Sequence, residues 1–301
     1  MVVSRRQFLT YCKNAAAALG LGATQLAQLE KALANPGAPS VIWLSGSSCT
    51  GCSVSFLNRF APSAPATAAD VLIDVINLRY HPNLMAAAGE SAAQVALEVM
   101  QAGNYILAVE GGVPTAFGGN ACLAWSVGGT DVTFLDAVTS LAARASQVIC
   151  IGTCASFGGI PAAPPNPAGI RTVGEVTLRN TVNVAGCPPH PDWMVSTIAG
   201  LLANNLGPLD SYRRPMSLFS RTVHSLCPRR EREEASQYGQ DNRCLEELGC
   251  LGPDTMGPCP TSLWNNGVNW CADANTNCIG CTNPNFPTAP LRGGESDGHD
   301  D

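Results

Sequence analysis

Fourteen cysteines stand in a chain of 301 residues, and their spacing is the first chemistry the sequence offers. Cys49 and Cys52 lie in Ser48-Cys49-Thr50-Gly51-Cys52-Ser53, Cys154 in Gly152-Thr153-Cys154-Ala155, and Cys187 in Gly186-Cys187-Pro188-Pro189. Seven more, Cys227, Cys244, Cys250, Cys259, Cys271, Cys278 and Cys281, fall within 55 residues. A chain this long buries a core without cross-links, so stapling does not explain them. On ligand chemistry alone, four thiolates at one point suit zinc and an iron-sulfur cluster about equally. The 102 residues between Cys52 and Cys154 fit a site shared between strand ends and not a local zinc ribbon. Gly51, Gly152 and Gly186 let backbone come close and direct N–H groups at sulfur, which favours the bulkier cluster.

Such a site needs strands to carry it. Between 40 and about 205, short apolar runs rich in Val and Ile alternate with helical patterns. The runs predict strands at 41–44, 71–78, 105–110, 147–152 and 181–185, and helices at 53–60, 90–101, 134–144 and 192–204. This alternation implies an α/β domain at 40–205, a flavodoxin-like doubly wound parallel sheet covered on both faces. Ligands bind outside the carboxyl ends of such strands, where all four cysteines of the region would emerge. From 206 to 290, Gly, Pro, Asn and Cys are frequent and periodicity is weak, which predicts an irregular cluster-binding C-terminal domain held largely by metal. Two ligand sets suggest themselves there: His224, Cys227, Cys244 and Cys250, and Cys259, Cys271, Cys278 and Cys281.

At 46% hydrophobic residues the chain is not disordered, and a net charge of -6 argues against nucleic acid as a partner. Residues 1–34 read as a twin-arginine signal peptide: Arg5-Arg6-Gln7-Phe8-Leu9, a weakly apolar run, and the small-x-small site Ala32-Leu33-Ala34. Cleavage after Ala34 removes Arg5, Arg6, Lys13, Lys31 and Glu30 and takes the charge from -6 to -9. The expected location is therefore the periplasm. No stretch of the mature chain has the 18 or more apolar residues of a transmembrane segment, and 291–301 reads as a disordered acidic tail.

Seven ordered motifs carry a specific resemblance. They are 48–53, Glu110-Gly111-Gly112-Val113-Pro114, 152–155, Gly186-Cys187-Pro188-Pro189-His190-Pro191-Asp192-Trp193, 244–254, Asn269-Trp270 and Cys278-Ile279-Gly280-Cys281. Together, over residues 41 to about 290, they resemble the small subunit of a nickel-iron hydrogenase. The resemblance implies an electron-transfer subunit of an exported hydrogenase, an H2:acceptor oxidoreductase, with three iron-sulfur clusters. Cys49, Cys52, Cys154 and Cys187 match the ligands of the proximal 4Fe-4S cluster, and His224, Cys227, Cys244 and Cys250 those of the distal 4Fe-4S cluster. Cys259, Cys278 and Cys281 match the medial cluster, which is 3Fe-4S in many members because a proline follows the Asn-Trp pair. Here Cys271 takes that place, as in the nickel-iron-selenium branch, so a 4Fe-4S medial cluster is expected. The alternative for Cys271 is a buried free thiol. A fourth thiolate adds negative charge and should lower the medial potential.

The same resemblance implies two kinds of partner. One is a large subunit that holds the nickel-iron centre, since the Arg-x-Cys-x-x-Cys and Asp-Pro-Cys-x-x-Cys motifs of that subunit do not occur here. The other is an acceptor, either a c-type cytochrome or a membrane quinone-reducing subunit. Electrons, and not hydrogen activation, are this chain's business, so it has no catalytic residue of its own. Gly51 is kept where oxygen-tolerant members carry an extra cysteine, so the ordinary proximal cluster is expected.

Glu110 and His190 are candidates for a supporting role, proton movement or a bond to sulfide. A loop-anchoring carboxylate and a structural histidine are the plainer readings, and His81 reads as structural. Cys150 falls inside a predicted strand and packs as an apolar residue; Cys122 has no assigned role, and Cys12 leaves with the signal. Arg213, Arg214, Arg221, Arg229, Arg230 and Arg232 flank His224 and Cys227, either as a solvated cluster or as a dock for an acidic electron partner. Two rival readings differ in class. A single-cluster protein like that of the respiratory complex leaves the second cysteine region unexplained. An exported disulfide-rich binding protein fits poorly with a twin-arginine signal, which carries folded, loaded proteins.

Overall fold

A computed structural model describes residues 40–61, 66–240 and 242–287. The signal peptide, Cys12 and the acidic tail lie outside the described residues. Five strands, β1 (Ser40–Ser45), β2 (Asn77–Tyr80), β3 (Tyr105–Glu110), β4 (Gln147–Ile151) and β5 (Val182–Val184), form one parallel sheet in the order β2-β1-β3-β4-β5. That order is flavodoxin-like, and its reversal point lies between β1 and β3. Every residue of β3 is buried, and so are the four central residues of β1, as strands covered on both faces require.

Side chains alternate between two cores. On one face Ile42, Leu44, Leu107, Val109, Val148 and Cys150 meet two helices, α2 (Gly89–Ala102) and α3 (Phe134–Arg144). On the other, Val41, Trp43, Ile106, Ala108, Ile149 and Ile151 meet two further helices, α1 (Gly51–Leu57) and α5 (Pro191–Leu202). This second core continues without a break into the C-terminal region through Phe219, Val223, Leu245, Cys259 and Trp270. A short helix, α4 (Thr153–Phe157), follows β4.

One predicted strand is half right. Residues 77–80 form β2, but Val71–Val75 form a π-helical turn that continues from Ala68–Asp70. The cause is a capping box: the Thr67 hydroxyl accepts from Asp70 N, and the Asp70 carboxylate accepts from Thr67 N at 2.9 Å. A short apolar run reads alike as buried strand or buried helix, and here the cap decides it. A two-stranded hairpin, Leu123–Val127 with Thr130–Thr133, adds to the expected elements; Gly128 and Gly129 make its turn at φ 57 and 77. Beyond α5 the described chain is irregular, with only short helices at Met216–Phe219, Val223–Leu226 and Cys259–Ser262. Among the described residues no helix is long and apolar enough to cross a membrane.

Candidate metal centres

The loop after β1 carries Cys49 and Cys52 and turns into α1 through Thr50 at φ 65. Its anchor is Glu110, fully buried at the end of β3. The Glu110 carboxylate accepts from Cys52 N at 3.1 Å, Ser53 N at 3.3 Å and Trp43 Nε1 at 3.1 Å, and from the Ser53 hydroxyl. His81 closes this network: its Nδ1 accepts from Asn83 N at 3.1 Å and its Nε2 faces Ser53 Oγ at 3.2 Å. Burial lowers the His81 pKa to about 4, so the ring is neutral at pH 7.

Cys154 leads into α4 and Cys187 follows β5, so four thiols meet at the carboxyl ends of β1, β4 and β5. Burial pushes Cys154 up to about 12, and the sulfurs of Cys187 and Cys49 push in the same direction. Cys52 is raised well above its ordinary value, first by burial, then by Glu110, then by the other three sulfurs. Glycine is required around them. A Cβ on Gly152, at φ 88, would lie 2.5 Å from Cys52 Sγ, and one on Gly159 would lie 2.9 Å from Cys154 Sγ.

A second set joins Cys259, Cys271, Cys278 and Cys281. Cys259 is raised well above its ordinary value by burial and then by the sulfurs of Cys281, Cys278 and Cys271. Burial likewise takes Cys278 to about 11 and Cys281 to about 12. In the third set His224, Cys227, Cys244 and Cys250 line one small cavity with Val223, Leu245 and Trp270. The ligand atoms of His224 and Cys244 lie within 4.8 Å of each other and of a Glu246 carboxylate oxygen. Glu246 Oε2 is 3.7 Å from His224 Nδ1, a partner that sequence reasoning missed.

The three sets stand in file. Cys187 N–H, in the first set, faces the Cys281 sulfur of the second, and this lowers the Cys281 pKa against burial. Cys278 N–H, in the second, donates to Cys250 Sγ of the third at 3.3 Å. None of the thirteen described cysteines forms a disulfide. Groups of thiols, most of them out of water, are arrangements that a soft cation relieves.

Other residues fall where expected, with one exception. Cys150 is wholly buried in β4 among apolar side chains, and Cys122 is half-buried. His190 caps α5, its Nδ1 accepting from Asp192 N at 3.1 Å while Nε2 donates to Leu263 O at 2.6 Å. That is the structural role. The exception is the arginine cluster. Arg214 is buried and paired with Asp210 at 2.8 Å, Arg229 is buried, and Arg213 donates to Thr181 O at the sheet edge. Arg213 is nonetheless exposed, as are Arg221, Arg230 and Arg232.

Residues 49–201 match the family model "NADH ubiquinone oxidoreductase, 20 Kd subunit", and residues 219–291 match the C-terminal model of the "NiFe/NiFeSe hydrogenase small subunit". The chain is 37% identical to the periplasmic NiFeSe hydrogenase small subunit of Desulfomicrobium baculatum, over 95% of this chain and 97% of that one. It is 38% identical to the periplasmic NiFe hydrogenase small subunit 1 of Nitratidesulfovibrio vulgaris, over 94% and 90%. Among solved structures, the NiFeSe hydrogenase from Desulfovibrio vulgaris Hildenborough aligns with a TM-score of 0.78 at 37% identity, over 84% of this chain and 96% of that one. The sheet, the irregular region behind it and the full-length match agree: the chain belongs to the family of nickel-iron hydrogenase small subunits.

Proposed function

We propose that this chain is the electron-relay subunit of an exported nickel-iron hydrogenase, taking electrons from a large subunit and passing them to an acceptor at its surface. The observation that carries the reading is the file of three donor sets, in which a backbone N–H of one set faces a sulfur of its neighbour. The residues fit iron-sulfur clusters on two counts: sulfur-rich donor sets, and a backbone beside Cys52 and Cys154 that leaves no room for a Cβ. Bound there, iron-sulfur clusters supply one-electron redox steps. Cys49, Cys52, Cys154 and Cys187 would hold the proximal group; Cys259, Cys271, Cys278 and Cys281 the medial; His224, Cys227, Cys244 and Cys250 the distal. Glu110 holds the first cysteine loop in place, and the shared apolar core keeps water from the middle of the file.

The large subunit would dock over α1, where Val54, Leu57 and Phe60 are exposed beside a cleft of about 450 Å³ that reaches His190 and Trp264. The proposal is completed by a division at about residue 205, a periplasmic location, and an acceptor that is a c-type cytochrome or a membrane quinone-reducing subunit.

Cys271 makes the test sharp. Its sulfur acts on Cys259 together with those of Cys278 and Cys281, which supports reading it as the fourth ligand of a medial 4Fe-4S group in a chain that binds about twelve irons. EPR of the oxidised enzyme should show no strong 3Fe-4S signal, and Cys271→Pro should create one and raise the medial potential. A strong signal from undamaged wild type defeats the medial assignment. A colourless protein with its thiols paired defeats the whole reading.

A further inference from the structure

We propose that Thr153 is a positioning residue: its hydroxyl sets the distance between the proximal donor set and the medial one. Thr153 is 1% exposed, between Gly152 and the donor Cys154 at the start of α4. Its hydroxyl donates to the carbonyl oxygen of Cys281 and accepts from Gly186 N at 2.9 Å, and its own N–H donates to Gly186 O at 3.0 Å. Gly186 precedes Cys187, whose N–H meets the Cys281 sulfur. One hydroxyl therefore touches the three segments that carry Cys154, Cys187 and Cys281, where the two sets come closest. A hydroxyl offers one donor and two acceptor sites, and both roles are filled. Without it, the half-buried Cys281 carbonyl and the buried Gly186 amide lose a partner, a loss that the loop relieves by moving. Electron tunnelling falls steeply with distance, so a small outward movement of Cys281 slows the hop while leaving every donor present.

The inference rests on the relay reading, and the experiment separates the two. Wild type, Thr153→Val, Thr153→Ala and Thr153→Ser are prepared as the loaded heterodimer. Three things are read: iron content, the magnetic interaction between the reduced proximal and medial clusters by EPR, and the rate of electron passage after flash reduction. Expected are full iron in all four and wild-type behaviour for the Ser variant. For the Val and Ala variants a weaker interaction and passage slowed roughly tenfold are expected, as for a misplacement of under an ångström. Wild-type coupling and rate in either the Val or the Ala variant overturns the inference. So does a Ser variant as slow as Val, or iron lost from both Val and Ala, since the hydroxyl would then build the site instead of spacing it. Should Val alone lose iron, Ala decides by the same criteria. A wild type without iron overturns the relay reading itself.

Discussion

Cys52 is held from two sides, by a carboxylate that must be present and a side chain that must be absent. Glu110 answers Cys52 N, Ser53 N, Trp43 Nε1 and the Ser53 hydroxyl, so Glu110→Ala strands four buried donors. The expected loss is at least about 3 kcal/mol of stability, read by chemical denaturation. Gly152→Ala brings a methyl to 2.5 Å from Cys52 Sγ at a φ of 88, and the expected result is loss of about four irons per chain, read by metal analysis. The cysteines of the first set are legible in the sequence because they follow strands that the local pattern announces. The polar web of Ser53, His81 and Glu110 is not, since partners 28 to 58 residues apart meet only through the sheet register, and Glu246 is not, since it meets His224 within the irregular region. The arginines mislead for a different reason: clustering in sequence does not separate the exposed members from Arg214, which pairs with the nearby Asp210 and lies buried.

Among the elements, α3 begins where the residues say it should. Thr133 accepts from Asp136 N at 3.0 Å, and Thr133→Ala should cost about 1 kcal/mol, measured as a shift in the denaturation midpoint. The 134–144 helix is legible to the residue because cap, periodicity and length all agree. At 71–78 they conflict, and the capping box at Thr67 prevails over the strand-like run. Helix α1 carries the interface prediction. Its exposed Val54 and Leu57, with Phe60 beyond, leave large apolar surface in water. Val54→Asp with Phe60→Asp should weaken the heterodimer at least tenfold, about 1.4 kcal/mol, by desolvating charge at the contact. Sedimentation of the mixed subunits reads it, and unchanged affinity removes α1 from the interface.

For the molecule as a whole, pH reports on the core facing α2 and α3. Cys150 and Tyr105 are buried there, and burial pushes each up to about 12, from 9.0 and 10.0. Both folded values are raised, so their contribution to stability is complete below about pH 9 and is lost as pH climbs toward about 12. Tyr105→Phe with Cys150→Ala should flatten that alkaline limb in denaturation curves taken from about pH 8 to about pH 11. The flavodoxin-like sheet is legible from alternation alone, whereas the path of 203–287 is not: without periodicity, its course is set by what its cysteines and Trp270 must reach. The structure resolves it by running one apolar core from Ile149 and Ile151 through Trp193 to Leu245, Cys259 and Cys278. Side chains that belong to the donor sets are thus also core side chains. On the proposed relay reading, closing that core and filling its donor sets would be a single event in the folding of the chain.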